Sequence, residues 1–236
     1  MPGLRVTLKS LYTFVSDLPQ IVLVLSQYSD DEIKEIIQEF STLELQIISA
    51  KPNGIYAAQN LGLNSVKTKF TLILNGGDTL TSVKAVSNLI AKIGEKSWGY
   101  GEMKIIDPIR ETDTNYNFRR YSSLLHRVGI KYVPHPASIV NTQIAKSIGG
   151  FDEKYRIAAD QKMLLTFASK SSPAITRDVV ANFYRGGVSS RGAEEIVSDF
   201  RAISHEIYGN FLGSAFLDQK IWSMVFKLRK FRESKR

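Results

Sequence analysis

The chain has 236 residues, 43% of them hydrophobic, no cysteine and a formal net charge of +8. That length and apolar content suit one large α/β domain, or one domain with an appendage, and are enough to bury a real core. The lack of cysteine excludes disulfides and thiolate-held metals and fits a reducing compartment; net +6 lies from Lys220 onward, so the charge belongs to one end and no basic nucleic-acid-binding face is expected.

Leu4, Leu8, Leu11 and Val15 recur at helical spacing and predict a helix over residues 4–16. The β-branched run at 21–25 predicts a buried strand ending at Ser26-Gln27-Tyr28. Ser29-Asp30-Asp31-Glu32 has the form of a capping box, and Ile33, Ile36, Ile37 and Phe40 line one face of the helix it opens. A second strand is expected over 43–49. The alternation of helix and strand favours parallel pairing through crossover helices.

Pro52-Asn53-Gly54 is a turn signal, and the Ala-Ala-Gln-Asn run at 57–60 is helical, with small residues that permit close backbone approach. A helix opening there can offer backbone N–H groups to a phosphate. A plain strand-to-helix turn explains the same residues equally well. The run at 70–74 has the pattern of a strand buried on both faces. It breaks at Asn75-Gly76-Gly77-Asp78, and a helix carrying Val83, Val86, Ile90 and Ile93 follows. Asp78 is therefore expected where a central strand ends, in the crevice where α/β sheets collect ligands. A turn aspartate after two glycines is the alternative.

Residues 97–107 read as a strand and 108–131 as a long polar loop with little pattern. His135-Pro136 falls in a strand over 132–140, and a short helix is expected over 142–148. A lone histidine such as His135 is more often structural than a metal ligand. Gly149-Gly150-Phe151-Asp152 is a turn-rich connector; Ala158-Ala159-Asp160 leads into a helix over 161–168, and Asp160 by itself reads as a helix N-cap. A strand over 175–184, a loop over 185–190 and a helix over 193–212 with Ile196, Phe200, Ile203 and Ile207 inward complete the domain. The segment 215–230 is amphipathic, with Phe216, Leu217, Ile221, Met224, Val225 and Leu228 on one side and basic residues around them. It suits a helix lying on an anionic membrane surface. It suits equally a terminal helix packed on the domain with a solvated basic end.

Four segments in order resemble family 2 glycosyltransferases of the GT-A fold, most closely the branch that builds cell-surface polysaccharides such as colanic acid. They are Gly54-Ile55-Tyr56-Ala57-Ala58-Gln59-Asn60-Leu61-Gly62; Leu74-Asn75-Gly76-Gly77-Asp78; Gly149-Gly150-Phe151-Asp152 with Ala158-Ala159-Asp160; and Asn182-Phe183 with Gly186-Gly187-Val188-Ser189. The resemblance spans about residue 4 to about residue 212. It implies an α/β GT-A fold with a mostly parallel central sheet flanked by helices over 1–213, which leaves 214–236 as the amphipathic basic tail already read from its residues. It implies an inverting transfer of a sugar from a nucleotide-diphosphate donor to a glycan or lipid-linked acceptor. Asp160 matches the general base, and Asp78 the carboxylate that holds Mg²⁺ or Mn²⁺ on the diphosphate. Ser26, Asn53, Gly54, Asn60, Asn75 and Gly77 are the residues expected against the nucleotide sugar. Residues 1–10 lack the apolar core of a signal peptide, and no apolar run approaches the roughly 20 residues of a membrane span. A cytoplasmic protein is expected, peripheral to the membrane if the basic helix lies on it, with no nucleic-acid partner.

The chain also departs from the family. It begins at what matches the helix after the family's first strand, so a strand and turn of about ten to fifteen residues is expected to be lacking, leaving two strand edges exposed unless something substitutes. Ser26 stands where the family has an aspartate that reads uracil, with Gln27-Tyr28 in place of Gly-Gly. Ala57 replaces the aspartate of the Gly-Ile-Tyr element, and Ala50, Lys51 and Pro52 replace acidic residues. These departures favour a rival function, a degenerate, non-catalytic glycosyltransferase-like binding module. A nucleotidyltransferase is disfavoured by the absence of a Gly-rich basic N-terminal loop.

Overall fold

The computed structural model describes residues 2–12, 20–51, 53–116, 120–185 and 193–233. Helix α1 (Pro2–Tyr12) precedes a small parallel sheet of β1 (Ile21–Ser26) and β2 (Leu45–Ala50), joined through α2 (Asp30–Glu39). The capping box forms as expected. The Glu32 N–H donates to Ser29 Oγ at 3.3 Å, and the Ser29 N–H donates to Glu32 Oε2 at 2.8 Å. Helix α3 (Ile55–Ser65) packs on this sheet, with Gly62 close against Val24.

A second sheet holds β3 (Phe70–Leu72), β4 (Thr79–Leu80), β5 (Trp98–Asp107), β6 (Thr112–Tyr116), β7 (Ser138–Asn141) and β8 (Ala174–Tyr184). Their order is β3-β7-β5-β8-β4, with β6 paired to the far part of β5. The helices around it are α4 (Val83–Ile93), α5 (Ser123–Arg127), α6 (Thr142–Ser147), α7 (Ala159–Lys170), α8 (Ala193–Tyr208) and α9 (Ala215–Glu233). The α/β class is as expected, but the pairing is mixed rather than mostly parallel. Among the described strand pairs, β1–β2 and β5–β8 run parallel, while β3–β7, β4–β8, β5–β6 and β5–β7 are antiparallel. Part of the reason lies in residues 108–116, expected as part of a long loop, which turn back on β5 as a hairpin. Residues 123–127 form α5, whose first turn is capped by Ser122 accepting from the Leu125 N–H at 3.3 Å.

Among the described residues, no ladder joins the two sheets. β1 pairs only with β2, and β3 is an edge of the larger sheet. The runs at 21–25 and 70–74 are accordingly less buried than their apolar pattern predicts. Leu25 is the one buried residue of β1 and Thr71 that of β3. Helix α1 connects the sheets by packing: Leu4 and Leu8 join Leu25, Ile36 and Phe40, while Leu11 also meets the apolar cluster that includes Phe70, Leu72 and Leu74. Each such leucine contributes roughly 1.5–3 kcal/mol when fully buried. Positions 13–16 of the predicted helix lie outside the described residues.

The main core lies between the larger sheet and helices α7 and α8, where Trp98, Tyr100, Phe151, Leu164, Phe167 and Phe200 are all buried. Helix α9 docks on α8 with its inward face rotated partway from the predicted one, keeping Ile221 and Val225 and adding Trp222. Trp222, 3% exposed, and Val225 point inward, while Phe216 and Met224 are 62% and 63% exposed. Asp218 sets this rotation. Its Oδ2 pairs with Arg201 at 3.3 Å and with His205 Nε2 at 2.9 Å, both on α8. Among the described residues no helix is long and apolar enough to cross a membrane.

Candidate functional site

Three side chains near the start of α3 each reach a different motif. Tyr56, Gln59 and Asn60 follow i, i+3, i+4 spacing and so share one face of the helix. The Tyr56 hydroxyl donates to Ile157 O at 2.6 Å and lies 3.3 Å from Asp160 Oδ1. Its ring stacks on Phe151, with centroids 5.6 Å apart. Gln59 Nε2 donates to Asn75 Oδ1 at 2.8 Å, three residues before Asp78. Asn60 Nδ2 donates to Phe151 O at 2.9 Å and to Glu153 Oε1 at 3.0 Å, and its Oδ1 accepts from the Phe151 N–H at 2.8 Å. Gly150, at φ +67°, lies so close that an added Cβ would come within 2.5 Å of Asn60 Oδ1. Only glycine fits both that conformation and that space. One helix thus holds the Asn75–Asp78 turn, the Gly-Gly-Phe-Asp connector and the Asp160 carboxylate together.

Asp160 stands within the first turn of α7, where the N-cap is Ala158. The N-cap reading of Asp160 is therefore corrected. Its Oδ2 accepts from Gln161 Nε2 at 2.8 Å. Because the single Tyr56 proton serves the shorter bond to Ile157 O, Oδ1 keeps capacity to accept another donor. Burial, and then the Asp160 charge, push the Tyr56 phenol well above its ordinary range, so it stays protonated. His135 lies in a 3₁₀ turn, His135–Ala137, that leads into β7 rather than in a strand. It is buried edge-on to Phe151, with centroids 5.7 Å apart. Burial depresses its pKa, against the pull of the Asp160 charge. Its geometry is that of a structural histidine, and among the described residues no cluster of three metal-ligating side chains forms.

Asp78 sits in the turn between β3 and β4 and is only 4% exposed. The turn is closed by the Asp78 N–H donating to Asn75 O at 3.0 Å. Thr7 of α1 pins it, donating to Asp78 O at 2.6 Å and accepting from the Gly77 N–H at 2.9 Å. Burial raises the Asp78 carboxyl to about 6, with the backbone N–H groups of Tyr184 and Asn75 opposing. Its Oδ2 is buried without a hydrogen-bond partner. An orphaned anionic oxygen is costly in a protein interior, and a divalent cation would satisfy it. The residues therefore fit a hard cation held by one protein carboxylate, with the other ligands drawn from phosphate oxygens.

The other expected contacts divide. Asn60, Asn75 and Gly77 brace the backbone, their polar groups engaged with Phe151, Gln59 and Thr7. Asn53 and Gly54 are exposed at the start of α3, whose N-cap, Gly54 at φ +90°, makes no side-chain cap bond. Ser26 ends β1 on the smaller sheet, whereas the Asp78 turn joins strands of the larger one. The next residue, Gln27, has φ +71°. That is the left-handed backbone glycine favours, kept although glutamine stands there. Pro52 and residues 186–189 lie outside the described residues. Tyr56, Gln59, Gln161 and Thr7 belong to the site although no motif marks them as site residues. The i, i+3, i+4 spacing in the Gly-Ile-Tyr segment is the signal for the first two. Nothing local marks Thr7, whose partners lie some seventy residues away.

No family model matches the chain. An uncharacterized glycosyltransferase of Mycobacterium tuberculosis is 26% identical over 199 residues, covering 75% of this chain and 74% of that protein. Among solved structures, Staphylococcus aureus TarS in complex with UDP superposes with a TM-score of 0.64 at 16% identity, over 86% of this chain. This chain spans 60% of that TarS chain. The mannosyltransferase PcManGT of Pyrobaculum calidifontis, in complex with GDP-Man and Mn²⁺, gives a TM-score of 0.56 at 17% identity, over 87% of this chain and 58% of that one. The fold is of the GT-A type.

Proposed function

We propose that this chain is a glycosyltransferase of the family 2 type that moves a sugar, with inversion, from a nucleotide-diphosphate donor to a hydroxyl of a glycan or lipid-linked acceptor in cell-surface polysaccharide synthesis. The observation that carries this reading is the bridging by α3. Tyr56 and Gln59 tie the base candidate Asp160 and the Asn75–Asp78 turn to one face of one helix. The glycosyltransferase name of the mycobacterial relative, and the nucleotide ligands of the TarS and PcManGT structures, point the same way.

In this mechanism the Asp160 Oδ1 oxygen takes the proton of the acceptor hydroxyl. The freed oxygen bonds to the anomeric carbon as the bond from that carbon to the diphosphate breaks, and the electron pair leaves on the diphosphate. Such proton transfer contributes about 10²–10⁴-fold to rate. Asp78 would hold Mg²⁺ or Mn²⁺, which when bound neutralises charge on the departing diphosphate. The exposed start of α3 at Asn53 and Gly54 lies where backbone N–H groups could meet phosphate oxygens, and Ser26 offers the base one neutral hydrogen bond.

The docked α9 leaves an outward stripe of Phe216, Lys220, Met224, Lys227 and Phe231, all exposed and spaced i, i+4, i+8, i+11, i+15. A cationic helix face that still shows aromatic rings suits peripheral attachment to an anionic membrane surface near a lipid-linked acceptor. The division into two sheets favours the rival reading, a non-catalytic module.

Calorimetry with UDP and GDP, with and without Mn²⁺, separates the readings. Binding that needs Mn²⁺ and is lost in Asp78→Ala supports the transferase. No binding of either nucleotide by the wild-type chain contradicts it.

A further inference from the structure

Behind Asp160 runs a chain of buried polar groups that the proposed chemistry does not itself call for. Gln161, the next residue along α7, is buried and has all its amide capacity filled. Its Nε2 donates to Val133 O at 3.1 Å and to Asp160 Oδ2 at 2.8 Å. Its Oε1 accepts from the Val133 N–H at 3.2 Å and meets His126 Nε2 at 3.1 Å. The backbone of Val133 supplies one donor and one acceptor, so it admits a single orientation of the amide. That orientation makes Oε1 an acceptor toward His126, and hence His126 Nε2 carries the hydrogen. His126 Nδ1 must then accept, and the Tyr121 hydroxyl at 3.1 Å donates to it. Every bond points the same way, from Tyr121 through His126 and Gln161 to Asp160 Oδ2.

We propose that Gln161, with His126 and Tyr121 behind it, is the positioning device for Asp160, locking Oδ2 in the protein so that Oδ1 alone meets the acceptor hydroxyl. The inference rests on the reading of Asp160 as the base. Bonds in such a series polarise one another, and a fully satisfied buried network fixes geometry. His126 is suited to it because complete burial holds its pKa down at about 3, with the Gln161 bond opposing. It remains a neutral, one-way link wherever the protein is folded. Among the described residues, Tyr56 and His135 also face Asp160, one protonated and the other pushed toward its neutral form. Misplacing a reacting group by about 1 Å can cost about 10²-fold.

The test combines kinetics with nitrogen-15 NMR. Gln161→Met should lower kcat by about 10- to 100-fold while leaving nucleotide Kd unchanged. His126→Phe should also lower kcat, whereas His126→Gln, which can keep an N–H at the Nε2 position, should restore most of it. NMR of the wild-type protein should show His126 as the neutral Nε2–H tautomer at all pH values above about 4. It should also show slow exchange of the Gln161 side-chain amide protons, quickened in Asp160→Ala. A His126 that carries its hydrogen on Nδ1, or equal losses in His126→Phe and His126→Gln, overturns the proposal. If the wild-type protein transfers no sugar yet shows the tautomer and the protected amide, the transferase reading falls and takes the positioning role with it, while the hydrogen-bond order stands; transfer without the tautomer overturns the network alone.

Discussion

The two sides of the candidate site are built differently. On the Asp160 side, α3, α7 and the 149–153 connector are laced by buried side-chain bonds: Asn60 to Phe151, Tyr56 to Ile157, and Gln161 to Asp160 and Val133. On the Ser26 side, a two-stranded sheet with mostly half-exposed residues is held to the rest by α1, by α3 and by the Lys67 N–H donating to Gln20 Oε1 at 3.1 Å. A general base must be placed to within a fraction of an ångström. A surface that grips a flat base through a few polar contacts tolerates more movement. The rigid half is where bond-making is proposed, and the loosely held half is where the donor would be recognised.

Asn60→Ala attacks the rigid half directly. It strips three hydrogen bonds from the 149–153 connector, two to Phe151 and one to Glu153, and a loss of about 2–3 kcal/mol is expected in urea unfolding. Ser26→Ala, on the other side, should change stability by less than about 0.5 kcal/mol. Comparable losses in the two variants would erase the contrast.

Asp78 sharpens it from the metal side. Its folded carboxyl, raised from 3.8 to about 6, holds a proton more tightly than the unfolded one. Without a cation, stability therefore falls as pH rises from about 4 to about 6, and the whole penalty is present above that. Asp78→Asn should accordingly stabilise the metal-free protein at pH 7, on the order of 2 kcal/mol, and by little below pH 4. Added Mn²⁺ with UDP or GDP should raise the Tm of the wild type and not that of the variant. Thermal unfolding across pH reads both.

Tyr56→Phe keeps the stack on Phe151 and removes only the hydroxyl, so it should cost about 1 kcal/mol. Gln27→Gly relieves a left-handed glutamine on the loose side. It should stabilise by about 0.5–1 kcal/mol in the same assay, the gain being reduced by the entropy glycine adds to the unfolded chain.

Much of this was legible in the residues. The capping box at Ser29 and the helix 83–93 follow from local pattern, which the backbone obeys wherever tertiary packing agrees. The expected central strand end at Asp78 does not form, because β3 is an edge strand that stops at Leu72 and Asp78 lies in the turn directly before β4. What was not legible depended on partners far away in sequence. The apolar runs at 21–25 and 70–74 predict burial, but their exposure is decided by whether a neighbouring strand pairs with them. The inward face of α9 is only partly legible, through Ile221 and Val225, because Asp218, polar in isolation, is buried through pairing with Arg201 and His205 on another helix. Residues 108–131 carry too few apolar positions to announce a hairpin, whose second strand is held mainly by its ladder to β5. Asp160 reads as a helix cap in isolation because its partner Tyr56 reaches it only once α3 and α7 meet, and Gln161 beside it is held in place by Val133 and His126.

The measurement that bears most directly on the whole account is donor turnover by the wild-type protein and Asp160→Asn, assayed with UDP- and GDP-sugars, Mn²⁺ and a polyprenyl-phosphate-linked or glycan acceptor, alongside nucleotide binding by both. The account predicts transfer by the wild type, a fall of about 10²–10⁴-fold in kcat in the variant, and the same nucleotide affinity in each. Undiminished transfer by Asp160→Asn, or nucleotide binding with no transfer by the wild type, would contradict it.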